Sequence, residues 1–158
     1  MSLRIFIHGL DSSNQGTKAI FFRERFPDMV IPNFDGSLEN RMENLEDILS
    51  EGSGISIVGS SFGGLMATIF AMKFEARVDR LILLAPAINM IRHTTYEVRE
   101  ISTPVHIYHG VNDAVIPLAD VDREAKSIFH NLTLNIVEDD HLLHKTFKGI
   151  DWKTLLGD

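Results

Sequence analysis

The stretch on which the fold turns is "IVGSSFGGLMA", residues 57–67. An apolar, β-branched run gives way to serines and glycines and then resumes with helix-forming residues. A junction of this kind either cradles a phosphate or holds a nucleophile on a sharp turn. The residues decide between the two. A dinucleotide fingerprint needs G-x-G-x-x-G, and "GSSFGG" lacks its second glycine; a P-loop needs Lys and then Ser or Thr after its last glycine, where this chain has Leu65 and Met66. What fits is G-x-S-x-G, as Gly59-Ser60-Ser61-Phe62-Gly63. A serine at the apex of so tight a turn carries a strained backbone and an exposed hydroxyl, and the positions two before and two after it must be small because backbone passes close by. Gly59 and Gly63 meet that need. The following helix points free N–H groups at the turn, so the Phe62 amide is a candidate oxyanion donor.

Working outward, short β-branched runs alternate with longer segments of helical period, the pattern of βαβ units around a parallel sheet. The runs are "LRIFIH" (3–8), "MVIPNF" (29–34), "GISIVG" (54–59), "RLILLA" (80–85), "VHIYHG" (105–110) and "LTLNIV" (132–137). Between them, Leu38, Met42, Leu45 and Leu49 recur at three- and four-residue spacing, which predicts an amphipathic helix with Ser37 as its N-cap. Further helices are expected over 19–26, 65–74, 121–129 and 147–156. The expectation is α/β: a single doubly wound domain, residues 1–158, with a mostly parallel six-stranded sheet.

A serine hydroxyl needs a base to take its proton, and the base works best when a carboxylate fixes its tautomer. On such a sheet the acid and then the histidine follow the serine in chain order, each after a later strand. Asp113 in "VHIYHGVNDAVIP" and His141 in "LNIVEDDHLL" stand at those places. Ser61, Asp113 and His141 are therefore the catalytic candidates. His144 rivals His141 but lies three residues beyond it. Asp139 and Asp140, adjacent to the histidine in sequence, read as capping or solvated carboxylates, and Asp11 as a further decoy. His8, His106 and His109 read as structural, and His93 and His130 as surface or rim residues. No HExxH pattern occurs, so no metal or other cofactor is expected.

Composition narrows the partners. A formal net charge of -7 disfavours nucleic acid, which calls for clustered Lys and Arg. No run approaches the roughly 20 apolar residues of a membrane span, and "MSLRIFIHGLD" turns polar too early for a signal peptide, so a cytoplasmic protein is expected. The chain has no cysteine, which removes thiolate chemistry.

The pieces "FIHGLDSSNQGTKA" (6–19), "VGSSFGG" (58–64), "LLAPA" (83–87), "HGVNDAVIP" (109–117) and "DDHLL" (139–143) together resemble the α/β-hydrolase superfamily, in particular small bacterial esterases with a histidine-glycine turn and a GSSxGG elbow. The resemblance implies hydrolysis of an ester, thioester or amide, with Ser61 attacking, His141 as base and then acid, and Asp113 orienting it. It also implies a second oxyanion donor, the backbone amide of Leu10. Many relatives carry an aromatic residue there. The first strand read here already bears the histidine-glycine turn, so a trimmed version of the fold is expected. Where relatives insert a lid, residues 86–104 leave room only for a minimal cap, and Met90, Ile91, His93 and Tyr96 are expected to line a shallow pocket suited to short acyl groups. The partner is then a small-molecule acyl substrate, with oligomeric state open. A small serine peptidase or thioesterase shares the chemistry, and a non-catalytic binding protein on the same fold is the alternative of another class.

Overall fold

The computed structural model describes residues 2–157. Five strands, β1 (Leu3–Ile7), β2 (Ile55–Ser60), β3 (Val78–Leu84), β4 (Val105–Gly110) and β5 (Leu132–Val137), form one sheet in the order β1-β2-β3-β4-β5. Every neighbouring pair is parallel, so the carboxyl ends of all five strands lie along one edge. Open parallel sheets of this type bind ligands beyond that edge.

Six strands were expected, and five form. "MVIPNF" is extended beside β1 but contributes only a single bridge, Val30 opposite Ile5, with Phe6 N–H donating to Val30 O and Val30 N–H donating to Arg4 O. Pro32 has no N–H with which to carry a ladder onward.

The crossovers clothe both faces. Helices α1 (Thr17–Arg25) and α5 (Trp152–Leu156) cover one face, where Phe6, Val58 and Ile82 of the sheet meet Phe22, Phe147 and Trp152. Helices α2 (Leu38–Ile48), α3 (Phe62–Lys73) and α4 (Leu118–Ile128) cover the other, through Ile5, Ile7 and Ile57 against Met42, Leu45 and Leu65. Strands buried on both sides explain the continuous apolar runs in the sequence. Ser37 caps α2, its hydroxyl accepting from Asn40 N–H.

The C-terminal segment is not the one helix that its spacing predicted. A 3₁₀ turn over Phe147–Gly149 is followed by α5, and Asp151 between them caps the second piece by accepting from Thr154 N–H. That side-chain acceptor offers the chain a fresh start in place of a continuous helix. Helix α3, by contrast, is buried nearly all round, as a helix with apolar residues on every face must be.

Candidate active site

The junction between β2 and α3 has the strain expected of a sharp turn. Ser61 has φ 55 and ψ -114, a region that residues other than glycine rarely adopt. Its backbone is held from both sides: its N–H donates to Leu84 O at 2.9 Å, and its carbonyl accepts from Gly64 N–H and Ala87 N–H, each at 2.9 Å. The flanking glycines are required by contact. A Cβ on Gly59 would meet the Gly63 carbonyl group, with the carbon at 2.8 Å, and one on Gly63 would meet the carbonyl oxygens of Ile7 and His8, the latter at 2.7 Å. Helix α3 can therefore start directly against the end of β1.

Three side chains from three strand ends converge here. Ser61 Oγ lies 3.1 Å from His141 Nε2, and His141 Nδ1 lies 2.8 Å from Asp113 Oδ2. Asp113 has a fully buried side chain, and its other oxygen, Oδ1, accepts from the N–H groups of Val115 (2.9 Å) and Ile116 (2.8 Å). With Nδ1 facing a carboxylate, the ring is assigned its proton there, leaving the Nε2 lone pair toward Ser61.

The histidine-glycine turn lies beside this chain. His8 is 1% exposed; Nδ1 donates to Gly9 O at 2.7 Å and Nε2 accepts from Phe34 N–H at 2.8 Å. Burial lowers its pKa below the ordinary histidine value, the Gly9 hydrogen bond opposes that, and the nearby Arg41 adds to it. Gly9 O and Leu10 N–H belong to one peptide unit, so fixing the carbonyl also fixes the amide. Among the described residues neither Leu10 N–H nor Phe62 N–H donates to another protein group, and both residues line the cavity above Ser61.

That cavity has a volume of about 780 Å³ and is walled by Leu10, Thr17, Lys18, Met90, Val115 and Leu142 around Ser61 and His141. Of the four residues expected to line the pocket, only Met90 does so. The 3₁₀ helix Ile88–His93 turns Ile88 and Ile91 together into the core, which its three-residue period places on one face. His93 is exposed, and Tyr96 packs against the core beyond the cap.

The decoys have other employment. His144 is exposed and pairs through Nδ1 with Asp140 Oδ2 at 2.8 Å. Asp140 is correspondingly held below the usual carboxylate range, chiefly by the hydrogen bond from His144. Asp139 is buried: Oδ1 accepts from Asp140 N–H, and Oδ2 accepts from Lys145 N–H (2.9 Å) and Thr146 N–H (2.8 Å). Burial alone would raise its pKa, but the hydrogen bonds from Thr146, Asp140 and Lys145 outweigh it and the carboxyl is lowered. It staples the loop that presents His141. Asp11 lines the cavity, and His130 pairs with Glu100 at the surface. Lys18 on the cavity wall donates to Leu142 O at 2.8 Å, and burial lowers its pKa against the pull of Asp140 and Asp139.

His109, read from the sequence as structural, is wholly buried against the candidate acid, with Nε2 3.2 Å from Asp113 Oδ2. The four-residue spacing in "HGVND" was the available signal. It has this meaning only because the chain turns at 110–113, with Asp113 N–H donating to Gly110 O.

This architecture is the α/β-hydrolase fold. By its match over residues 3–113, the chain belongs to the family described as "Uncharacterised protein family (UPF0227)". A putative hydrolase of the α/β superfamily from Xanthomonas campestris pv. campestris superposes with a TM-score of 0.76 at 23% identity, covering 94% of this chain and 93% of that one. Est1E from Butyrivibrio proteoclasticus, solved with ferulic acid bound, gives 0.74 at 18% identity over 94% and 84%. The Bacillus cereus carboxylesterase gives 0.73 at 15% identity over 97% and 87%. No curated protein matches in sequence. Among the described residues no helix is long and apolar enough to cross a membrane.

Proposed function

We propose that the chain is a serine hydrolase that cleaves small carboxylic esters through an acyl-enzyme on Ser61. The observation that carries this reading is the hydrogen-bonded chain from Ser61 Oγ through His141 to the buried Asp113, with distances of 3.1 Å and 2.8 Å. The proton of Ser61 Oγ passes to His141 Nε2 as Oγ bonds to the acyl carbon. Charge then develops on the carbonyl oxygen, where the amides of Leu10 and Phe62 receive it. The bond to the leaving alcohol breaks as His141 returns its proton to that oxygen. Water enters by the same steps in reverse roles, releasing the acid and restoring Ser61. Asp113 holds the ring and stabilises its cation throughout. No cofactor takes part.

Esters are preferred to other acyl compounds because one similar structure bears the name carboxylesterase, and another, Est1E, holds ferulic acid, itself a carboxylic acid. The short segment 86–104, with Ala87, Asn89 and Met90 from it on the cavity wall, suits a small acyl group. The partner is thus a small-molecule acyl substrate, and the setting proposed for the reaction is the cytoplasm.

The test is turnover of a panel of 4-nitrophenyl acyl esters alongside matched thioesters and aminoacyl amides. The ester panel is expected to be hydrolysed, with rates falling once a straight acyl chain exceeds about six to eight carbons, and Ser61→Ala is expected to be inactive. Cleavage of the amides or thioesters alone would move the reading to a peptidase or thioesterase.

A further inference from the structure

We infer that His109 is a positioning residue for the proposed reaction, a fourth member that holds the Asp113 carboxylate against His141; this rests on the hydrolase reading above. His109 sits near the end of β4, 0% exposed. Its Nε2 faces two acceptors, Ile116 O at 2.8 Å and Asp113 Oδ2 at 3.2 Å, so the ring is assigned its proton on that nitrogen. Nδ1 is buried with no partner among the described residues. A buried ring nitrogen without a partner is a cost that packing alone does not require. An apolar residue of similar volume would fill the same space, so the useful part of His109 is the single N–H aimed at the loop.

The consequence for Asp113 is geometric. Its Oδ1 is fixed by two amides, from Val115 and Ile116, and its Oδ2 receives His141 Nδ1. His109 Nε2–H donates to Ile116 O and so ties down the loop that provides both amides, holding Oδ1 in place from the rigid sheet. The same nitrogen stands 3.2 Å from Oδ2 and blocks the tilt about the Oδ1 contacts that would carry His141 away from Ser61. One N–H thus constrains the acid through the loop, and the ring that bears it confines Oδ2 by contact.

The experiment compares His109→Leu, which removes the donor, with His109→Gln, which keeps an N–H able to reach the loop. With a 4-nitrophenyl acetate assay, His109→Leu is expected to lower kcat on the order of tenfold with KM within about twofold, as for loss of one hydrogen bond whose effect is felt in the transition state. His109→Gln is expected to recover most of the rate. In ¹H NMR the strongly deshielded His141 Nδ1 proton of the parent should be lost or shifted upfield in His109→Leu and return in His109→Gln. That signal does not depend on turnover, so an inactive parent would reject the hydrolase reading, while the His141 proton in His109→Leu would still decide whether His109 holds Asp113 against His141. A folded His109→Leu with parental kcat and an unmoved His141 proton would overturn the inference. If His109→Leu does not fold, ¹⁵N shifts of the parent decide: a protonated Nε2 on His109 supports the role, and a proton on Nδ1 with Nε2 bare overturns it.

Discussion

Replacing Gly63 by alanine adds one methyl group at the tightest point of the molecule, and the structure states what it strikes. The new Cβ would lie 2.7 Å from His8 O and closer still to Ile7 O, where ordinary contact begins at 3.4 Å, so α3 and the end of β1 must separate by at least about 0.7 Å. Both obstacles are backbone, and no side chain can rotate aside. Overpacking of this kind costs about 1–3 kcal/mol. For a chain of this length that is a fall in Tm of about 2–12 °C. The displacement falls between the two candidate oxyanion amides, because Leu10 follows His8-Gly9 on one side and Phe62 precedes Gly63 on the other. Misplacing one such donor lowers kcat on the order of 10²–10³. Thermal melts by circular dichroism and a 4-nitrophenyl acetate assay read the two effects separately. A Gly63→Ala protein with parental Tm and parental kcat would refute the claim that this turn is set by backbone contact.

Three further outcomes follow from named contacts. Asp113→Asn should keep the fold but lower kcat on the order of 10⁴, because the Asn oxygen must face the N–H groups of Val115 and Ile116, which turns its N–H₂ toward His141 Nδ1 and forces the other tautomer; Asp140→Asn and His144→Ala, which pair with each other at the surface, should stay within about tenfold of the parent in the same assay. Asp139→Asn sets an amide N–H₂ against N–H donors of its own loop, and denaturant unfolding should show a loss of about 1–3 kcal/mol. The pH dependence of stability has a definite sign. His8 is needed unprotonated at Nε2 and its pKa is lowered on folding, so its contribution is complete above the unfolded value of 6.5 and is lost as pH falls through the lower folded one. Asp139 adds a second loss below its unfolded value of 3.8. Melts from pH 8 to pH 3 should therefore decline in two stages, and His8→Gln should flatten the first.

The elbow was legible because everything that makes it is local: Gly59, Ser61 and Gly63 are set by spacing, and the strand and helix on either side are strongly patterned. The candidate acid and base could be picked out by chain order, since a parallel sheet brings Asp113 and His141 to the edge that carries Ser61. What failed to show in the sequence depends on packing. "MVIPNF" has the composition of a strand, but whether it pairs is decided at the outer edge of β1, where it makes one bridge. Ile91 and Met90 are neighbours in sequence, and only the turn of the 3₁₀ helix against α3 and α4 sends one to the core and the other to the cavity. Asp139 looked like a capping or solvated carboxylate because its donors, Lys145 and Thr146, come later in the chain. His109 looked structural because a sequence does not tell where a loop folds back.

Whether Ser61 is an activated nucleophile is read covalently, by exposing the purified chain to a fluorophosphonate probe and following it with intact-mass measurement and peptide mapping. A Ser61 activated by His141 predicts one adduct per chain, on Ser61, absent in Ser61→Ala and formed far more slowly in His141→Ala. No adduct, or an adduct on Ser60, Ser12 or Ser13, would contradict it.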